Sequence, residues 1–317
     1  MQTESINVNA SCQTSLEASV QCAGVGLHSG VSVVMTIHPK PAGTGIIFRR
    51  TDISTDDNII PARYDWVSDT RLCTVLTNEA GVSVGTVEHL MAALAGCGVD
   101  NVCVDIDGPE VPIMDGSAAP FVEMIERAGV AILEDLRQFI RILEPIVVEK
   151  GATKVGLYPH EGCVFECEID FSTPVIGHQK ARSSIEDETF IRDVLASRTF
   201  GFLEDLEAMK EAGLVRGGSL DNAIVISGGH VLNTDGLRHS HEFVHHKLLD
   251  AMGDLFLAAM RIQGLYRGIR PGHAANNALL RALFMRPEAW DIAPMLASTT
   301  DVEVRGKRIQ GLPSVAA

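Results

Sequence analysis

His246, Asp250 and Asp254 stand four residues apart in the run F-V-H-H-K-L-L-D-A-M-G-D at 243–254. On a helix, side chains at i and i+4 lie one above the other. An imidazole and a carboxylate so stacked can grip one divalent cation, although the spacing also suits a solvated helix face or an ion pair. Val244, Leu248, Leu249, Met252, Leu255, Phe256 and Ala259 fall on the far side at about 100° per residue. The acid and imidazole stripe therefore points away from that core, toward whatever packs opposite. A second doublet, Glu88–His89, sits where another helix is expected to open. By helical phase His89 lies away from Val87, Leu90 and Leu94, available to a partner or simply exposed.

A catalytic zinc takes three protein ligands and keeps a fourth position for water, whose pKa it lowers to about 7. His89, His246 and Asp250 would supply two nitrogens and one oxygen, a set that suits iron(II) as well. Glu88, adjacent to a ligand, is the natural general base. His273, in P-G-H-A-A-N-N, follows Gly272, which allows an unusual backbone just before a helix start. It reads as an acid at a cleft edge, or as a helix-cap histidine. Asp254, one turn beyond Asp250, is placed to orient and charge such a histidine. Thr199, in S-R-T-F-G-F, offers a hydroxyl to a developing oxyanion, or is an ordinary strand threonine.

H-E-F-V-H at 241–245 matches the H-E-x-x-H of zinc proteases. Helical phase sends His241 and His245 to the side of Leu248, Met252 and Phe256, into the packed face. The usual third ligands are missing too: Leu248 and Ala251 stand where Gly and His are needed, and no Glu lies between Glu242 and Glu288. Two rivals to a hydrolytic centre at 89, 246 and 250 follow. One is a zinc endopeptidase using His241, Glu242 and His245. The other is a non-catalytic zinc or sugar-nucleotide binding module. Structural zinc is usually closed by four protein ligands, so three candidates with an acid beside them favour an open, reactive site.

These residues need elements to position them. At 317 residues the chain suggests about two domains. The first half reads as strands at 15–22, 31–37 and 45–50, and a helix capped by Thr86 and closed by Gly96. A strand at 101–106 and a helix at 118–128 follow. The second half repeats the order: strands at 139–149, 154–158 and 164–171, helical patterns near 186–195 and 203–212, a strand at 223–226, a long helix at 243–262 and a last helix after Gly272. The boundary falls near 134–137. A net charge of -15 argues against nucleic acid, which calls for a basic face. No apolar run approaches the ~20 residues of a membrane span, and no secretory signal pattern opens the chain. The seven scattered cysteines, with no C-x-x-C pair, fit a reducing cytoplasm; Cys163 and Cys167 read as packing residues. No exposed apolar seam points to an oligomer.

Seven motifs then fall in one order: G-V-G-L-H-S-G at 24–30, T-V-E-H-L-M-A-A-L at 86–94, P-I-M-D-G-S-A-A-P-F at 112–121, R-T-F-G-F at 198–202, G-G-S at 217–219, H-K-L-L-D-A-M-G-D at 246–254 and G-H-A-A-N-N at 272–277. Together, over nearly the whole chain, they resemble the bacterial UDP-3-O-acyl-N-acetylglucosamine deacetylases, the zinc amidases of lipid A synthesis. The resemblance implies an α+β fold of two similar domains, 1–135 and 136–317, each a small sheet on two helices, with the metal at their junction. It implies zinc on His89, His246 and Asp250, Glu88 as base, His273 as acid with Asp254 beside it, and Thr199 at the oxyanion. Lys247 and Lys154 match lysines near the nucleotide and sugar end of a UDP-linked, acylated glucosamine. An insert at 201–226 would form an apolar acyl passage that Phe200, Phe202, Leu206, Val215 and Leu220 could line. H-E-F-V-H is no part of the family pattern.

Overall fold

The computed structural model of the chain describes residues 12–187 and 189–294. It is mixed α/β, built of several small sheets and few helices. Five strands form one sheet in the order Val20–Val25, Ser32–Pro39, Val102–Ile106, Ile46–Arg50 and Ile59–Pro61. Side chains alternate along these strands: Val33, Met35 and Ile37 are buried while Val34 is exposed, the period-2 signature of a half-buried strand. A larger sheet is centred on Arg261–Ile269, which pairs with Gln138–Ile142, Thr153–Tyr158 and Cys163–Asp170.

The same order recurs around each central strand. Helix α1 (Glu88–Cys97) precedes Val102–Ile106, and α2 (Ala119–Ala128) follows it. After the short α3 (Leu206–Glu211), helix α4 (Glu242–Phe256) precedes Arg261–Ile269, and α5 (His273–Phe284) follows it. The first central strand carries one parallel neighbour, Ile46–Arg50, and the second carries two, Gln138–Ile142 and Cys163–Asp170.

Helix α1 packs on α4, and α4 also packs on α5 and on Cys163–Asp170. Every residue of α1 is buried; a helix apolar nearly all round belongs inside. Gly253 permits the crossing. A Cβ built there would lie 2.0 Å from the Glu88 carbonyl, so only glycine lets the two backbones meet this closely.

Several boundaries differ from the sequence reading. Thr86 does not cap α1: it lies at φ 54°, and its hydroxyl donates to Glu110 at 2.7 Å. The helix ends at Gly98, φ 75°, rather than at Gly96. The strand expected at 139–149 is two, broken at 143–145 before Pro145, giving Gln138–Ile142 and Ile146–Lys150. The pattern at 186–195 forms only one wide turn, Ile191–Leu195. Helix α4 stops at Phe256, and the stretch read as its end enters the central strand Arg261–Ile269. Gly264 and Gly268 had masked that strand, since glycine weakens a strand pattern. Gly272 is ordinary extended backbone, φ -167°, not the unusual conformation expected.

Candidate active site

Glu88 and His89 open α1, His246 to Asp254 occupy two turns of α4, and His273 is the first residue of α5. The α1–α4 crossing brings them together. One donor atom each from His89, His246 and Asp250 lie within 4.8 Å of one another. The His246 Nε2 is 3.3 Å and the His89 Nε2 3.7 Å from Asp250 Oδ1, and the two rings stand nearly perpendicular, 5.1 Å apart. His246 Nδ1 donates to the Ser197 carbonyl at 3.0 Å, which leaves the Nε2 lone pair facing the cluster, the usual state of a metal-binding imidazole. His89 Nδ1 is buried without a partner. The residues fit a divalent cation: all three are at most 4% exposed, and among the described residues no other three-donor group of His, Cys, Asp or Glu lies within one ion's reach.

The electrostatics follow from burial. Burial, then the neighbouring His246, pushes the His89 imidazole down to about 3, so it is a neutral donor. Burial also lowers His246. Burial alone would raise Asp250, but His246 and Lys247 outweigh it and hold the carboxylate well below its usual range. Lys247 Nζ bonds Asp250 Oδ2 at 2.7 Å, leaving Oδ1 to the cluster.

Beside this centre lies a second network. Glu88 Oε2 accepts the Thr74 N–H at 3.1 Å, and Oε1 is 3.8 Å from His273 Nε2. Burial first, then Asp254 and Asp250, raise the Glu88 carboxyl to about 7 against the lowering pull of His273. His273 Nδ1 bonds Asp254 Oδ2 at 2.9 Å. Burial opposes its charge, yet Asp254 and Glu88 prevail and raise it to about 10. Asp254 also accepts from Asn276 at 2.8 Å and from the Thr74 hydroxyl at 2.6 Å, and Tyr266 donates to Asn276 at 2.7 Å.

A cavity of about 770 Å³ opens from His273, Thr199 and Lys247. Thr199 is pinned at both backbone ends, its N–H to Gly116 and its carbonyl to Ile224, each at 2.8 Å. Phe200, Phe202, Leu206, Val215 and Leu220 all line the cavity. They come from a three-stranded sheet, Phe200–Phe202, Ile224–Ser227 and His230–Val231, and from the residues between.

The structure leaves Lys154 out. It is exposed, pairs with Glu149 at 2.5 Å and does not line the cavity. The cause is strand alternation: Lys150 and Thr153 face each other across the hairpin and line the cavity, so Glu149 and Lys154 point the other way. The expectation for H-E-F-V-H is also corrected. His241 is exposed and His245 half-buried, because His241 caps α4 instead of lying within it. The buried residue there is Glu242, which accepts Arg198 Nε at 2.8 Å and the Arg238 N–H at 2.6 Å. Sequence reasoning missed Thr74, Asn276, Tyr266, Ser197 and His28, whose buried Nε2 lacks a partner at the cavity wall. Asn276, one turn after His273, was findable from spacing; Thr74 carried no signal.

All seven cysteines are free, and among the described residues no helix is long and apolar enough to cross a membrane. A family model described as "LpxC: UDP-3-O-acyl N-acetylglycosamine deacetylase" matches residues 13–285. The UDP-3-O-acyl-N-acetylglucosamine deacetylase of Idiomarina loihiensis is 47% identical over 281 residues, 88% of this chain and 92% of that protein. Its namesake in Legionella pneumophila is 47% identical over 274 residues, 86% and 90%, and that of Aliivibrio fischeri 46% over 281 residues, 88% and 92%.

Proposed function

Because the chain belongs to the UDP-3-O-acyl N-acetylglycosamine deacetylase family, we propose the following division of labour among its residues. The reaction is amide hydrolysis: the N-acetyl group of a UDP-linked, 3-O-acylated glucosamine leaves as acetate, in lipid A biosynthesis. His89, His246 and Asp250 hold the metal, which we assign as zinc, with iron(II) suiting the same donors. When bound, the cation acidifies water and draws charge from the acetamide carbonyl. Glu88 accepts the water's proton, its outer oxygen steadied by Thr74. Thr199 donates its hydroxyl to the oxyanion. His273, charged through Asp254, gives the proton on Nε2 to the departing amine. Lys247 keeps Asp250 ionised and lies 5.5 Å from the Phe200 ring. The insert at 201–226, with Phe200, takes the acyl chain. Lys150 and Arg270, which line the cavity, take the anionic nucleotide end in place of Lys154.

We further assign two α+β domains, 1–135 and 136–317, with the site where α1 meets α4; the repeated helix–strand–helix order supports it. We place the protein in the cytoplasm, on its seven free cysteines.

The observation that carries this reading is the three-donor cluster with buried Glu88 and His273 on its flank. Glu88→Ala is expected to cut turnover by at least about a hundredfold while metal content stays at the wild-type level. Loss of metal along with activity would make Glu88 structural and remove it as the base. The endopeptidase reading has no base, since Glu242 is engaged by Arg198.

A further inference from the structure

The H-E-F-V-H run at 241–245 takes no part in the centre described above, yet its histidines are not isolated. We propose that His239, His241 and His245 form a second, surface site for a borderline transition cation such as zinc or nickel. His241 and His245 are spaced i, i+4 at the start of α4, and the His245 N–H donates to the His241 carbonyl at 3.0 Å. Their rings lie 6.1 Å apart, with His241 at the cap and His245 in the first turn, the i, i+4 spacing that zinc-binding histidines use. The ring of His239, from the preceding loop, lies tilted 4.9 Å from that of His245, close to the 5.1 Å between His89 and His246.

Hydrogen bonds leave a free nitrogen on two of the three rings. The Ser197 hydroxyl donates to the Asp193 carbonyl at 2.7 Å, so its oxygen accepts from His239 Nε2 at 3.0 Å and the His239 lone pair sits on Nδ1. His245 Nδ1 donates to the same Asp193 carbonyl at 3.2 Å, and its lone pair sits on Nε2. An imidazole anchored through one nitrogen to a protein oxygen presents the other as a ligand. As placed, the three rings do not converge on one point. The site is thus a held pair, His239 and His245, completed by a turn of the exposed His241, whose contact is the Ser240 hydroxyl at 3.1 Å. Imidazole donors select zinc, nickel or copper over magnesium or calcium. Glu242 is wholly buried on Arg198, so it does not serve these rings as the glutamate base of a zinc protease does.

The test is equilibrium dialysis of the full chain, already holding one equivalent of zinc, against added zinc. A second equivalent is expected, and His241→Gln or His245→Gln should weaken it by at least about tenfold, the loss that even an outer-sphere partner brings. Deacetylation by the one-equivalent His241→Gln protein should match wild type. Asp250→Ala should lose the first equivalent and keep the second, which separates this proposal from that of the main centre. Absence of a second equivalent, or one bound equally well by both glutamine variants, overturns the site.

Discussion

Thr74 touches both the proposed base and the proposed acid's partner, its N–H on Glu88 and its hydroxyl on Asp254. Thr74→Val removes the second bond and leaves a buried carboxylate oxygen without its donor, a loss of roughly 1–3 kcal/mol. We expect kcat to fall about tenfold with KM nearly unchanged, and Thr74→Ser to restore it; a change in KM alone would count against a positioning role. The pH profile belongs to the same residues. Glu88, raised to about 7 by burial and by Asp254 and Asp250, must be deprotonated to act as the proposed base, so kcat/KM is expected to rise as pH climbs through its titration. His273, raised to about 10 chiefly by Asp254 against the cost of burial, must be protonated to act as the proposed acid, so the rate is expected to fall as pH passes that value. A bound cation pulls the acid limb lower, since it favours the Glu88 carboxylate. A bell is expected, and His273→Gln should abolish its alkaline limb; a profile identical to wild type would strip His273 of the acid's role.

At the scale of elements, the site depends on how closely α1 and α4 cross. Gly253→Ala would drive a methyl into the Glu88 carbonyl, backbone against backbone. Overpacking of this kind typically costs about 1–3 kcal/mol. The helices must separate, and His89 and His246 ride on opposite sides of the gap. A lower denaturant midpoint together with weaker metal binding is expected; full metal affinity in that variant would show that the crossing has slack. The element that escaped sequence reading, the central strand Arg261–Ile269, bears on the site through Tyr266, which steadies Asn276 and so Asp254.

For the whole molecule, the governing feature is the cavity running from His273 to the sheet of Phe200–Phe202 and Ile224–Ser227. Its walls are mainly apolar, so substrate affinity should track the length of the acyl chain. Each buried methylene is worth about 0.8 kcal/mol, and shortening the chain by two should lower kcat/KM roughly tenfold. Equal rates on substrates of different chain length would place the chain elsewhere. The cationic residues at this cavity, Lys150, Lys247 and Arg270, stand in a chain of net charge -15. Local placement, rather than overall charge, decides what anion the molecule can take.

By itself the sequence determined whatever depends on angular phase within one element. Helical period put His246, Asp250 and Asp254 on one line, and strand period set the buried face at Val33, Met35 and Ile37. The motif order carried the grouping of His89 with His246 and Asp250. The tertiary structure alone decided which distant groups meet. Thr74 reaches Asp254 across 180 residues, Glu242 turns inward to Arg198 while His241 stays in solvent, and Lys150 takes the cavity side that Lys154 leaves. Spacing along a chain specifies direction about a local axis; the approach of two axes is set by packing, here by a glycine that adds no volume where α4 meets α1.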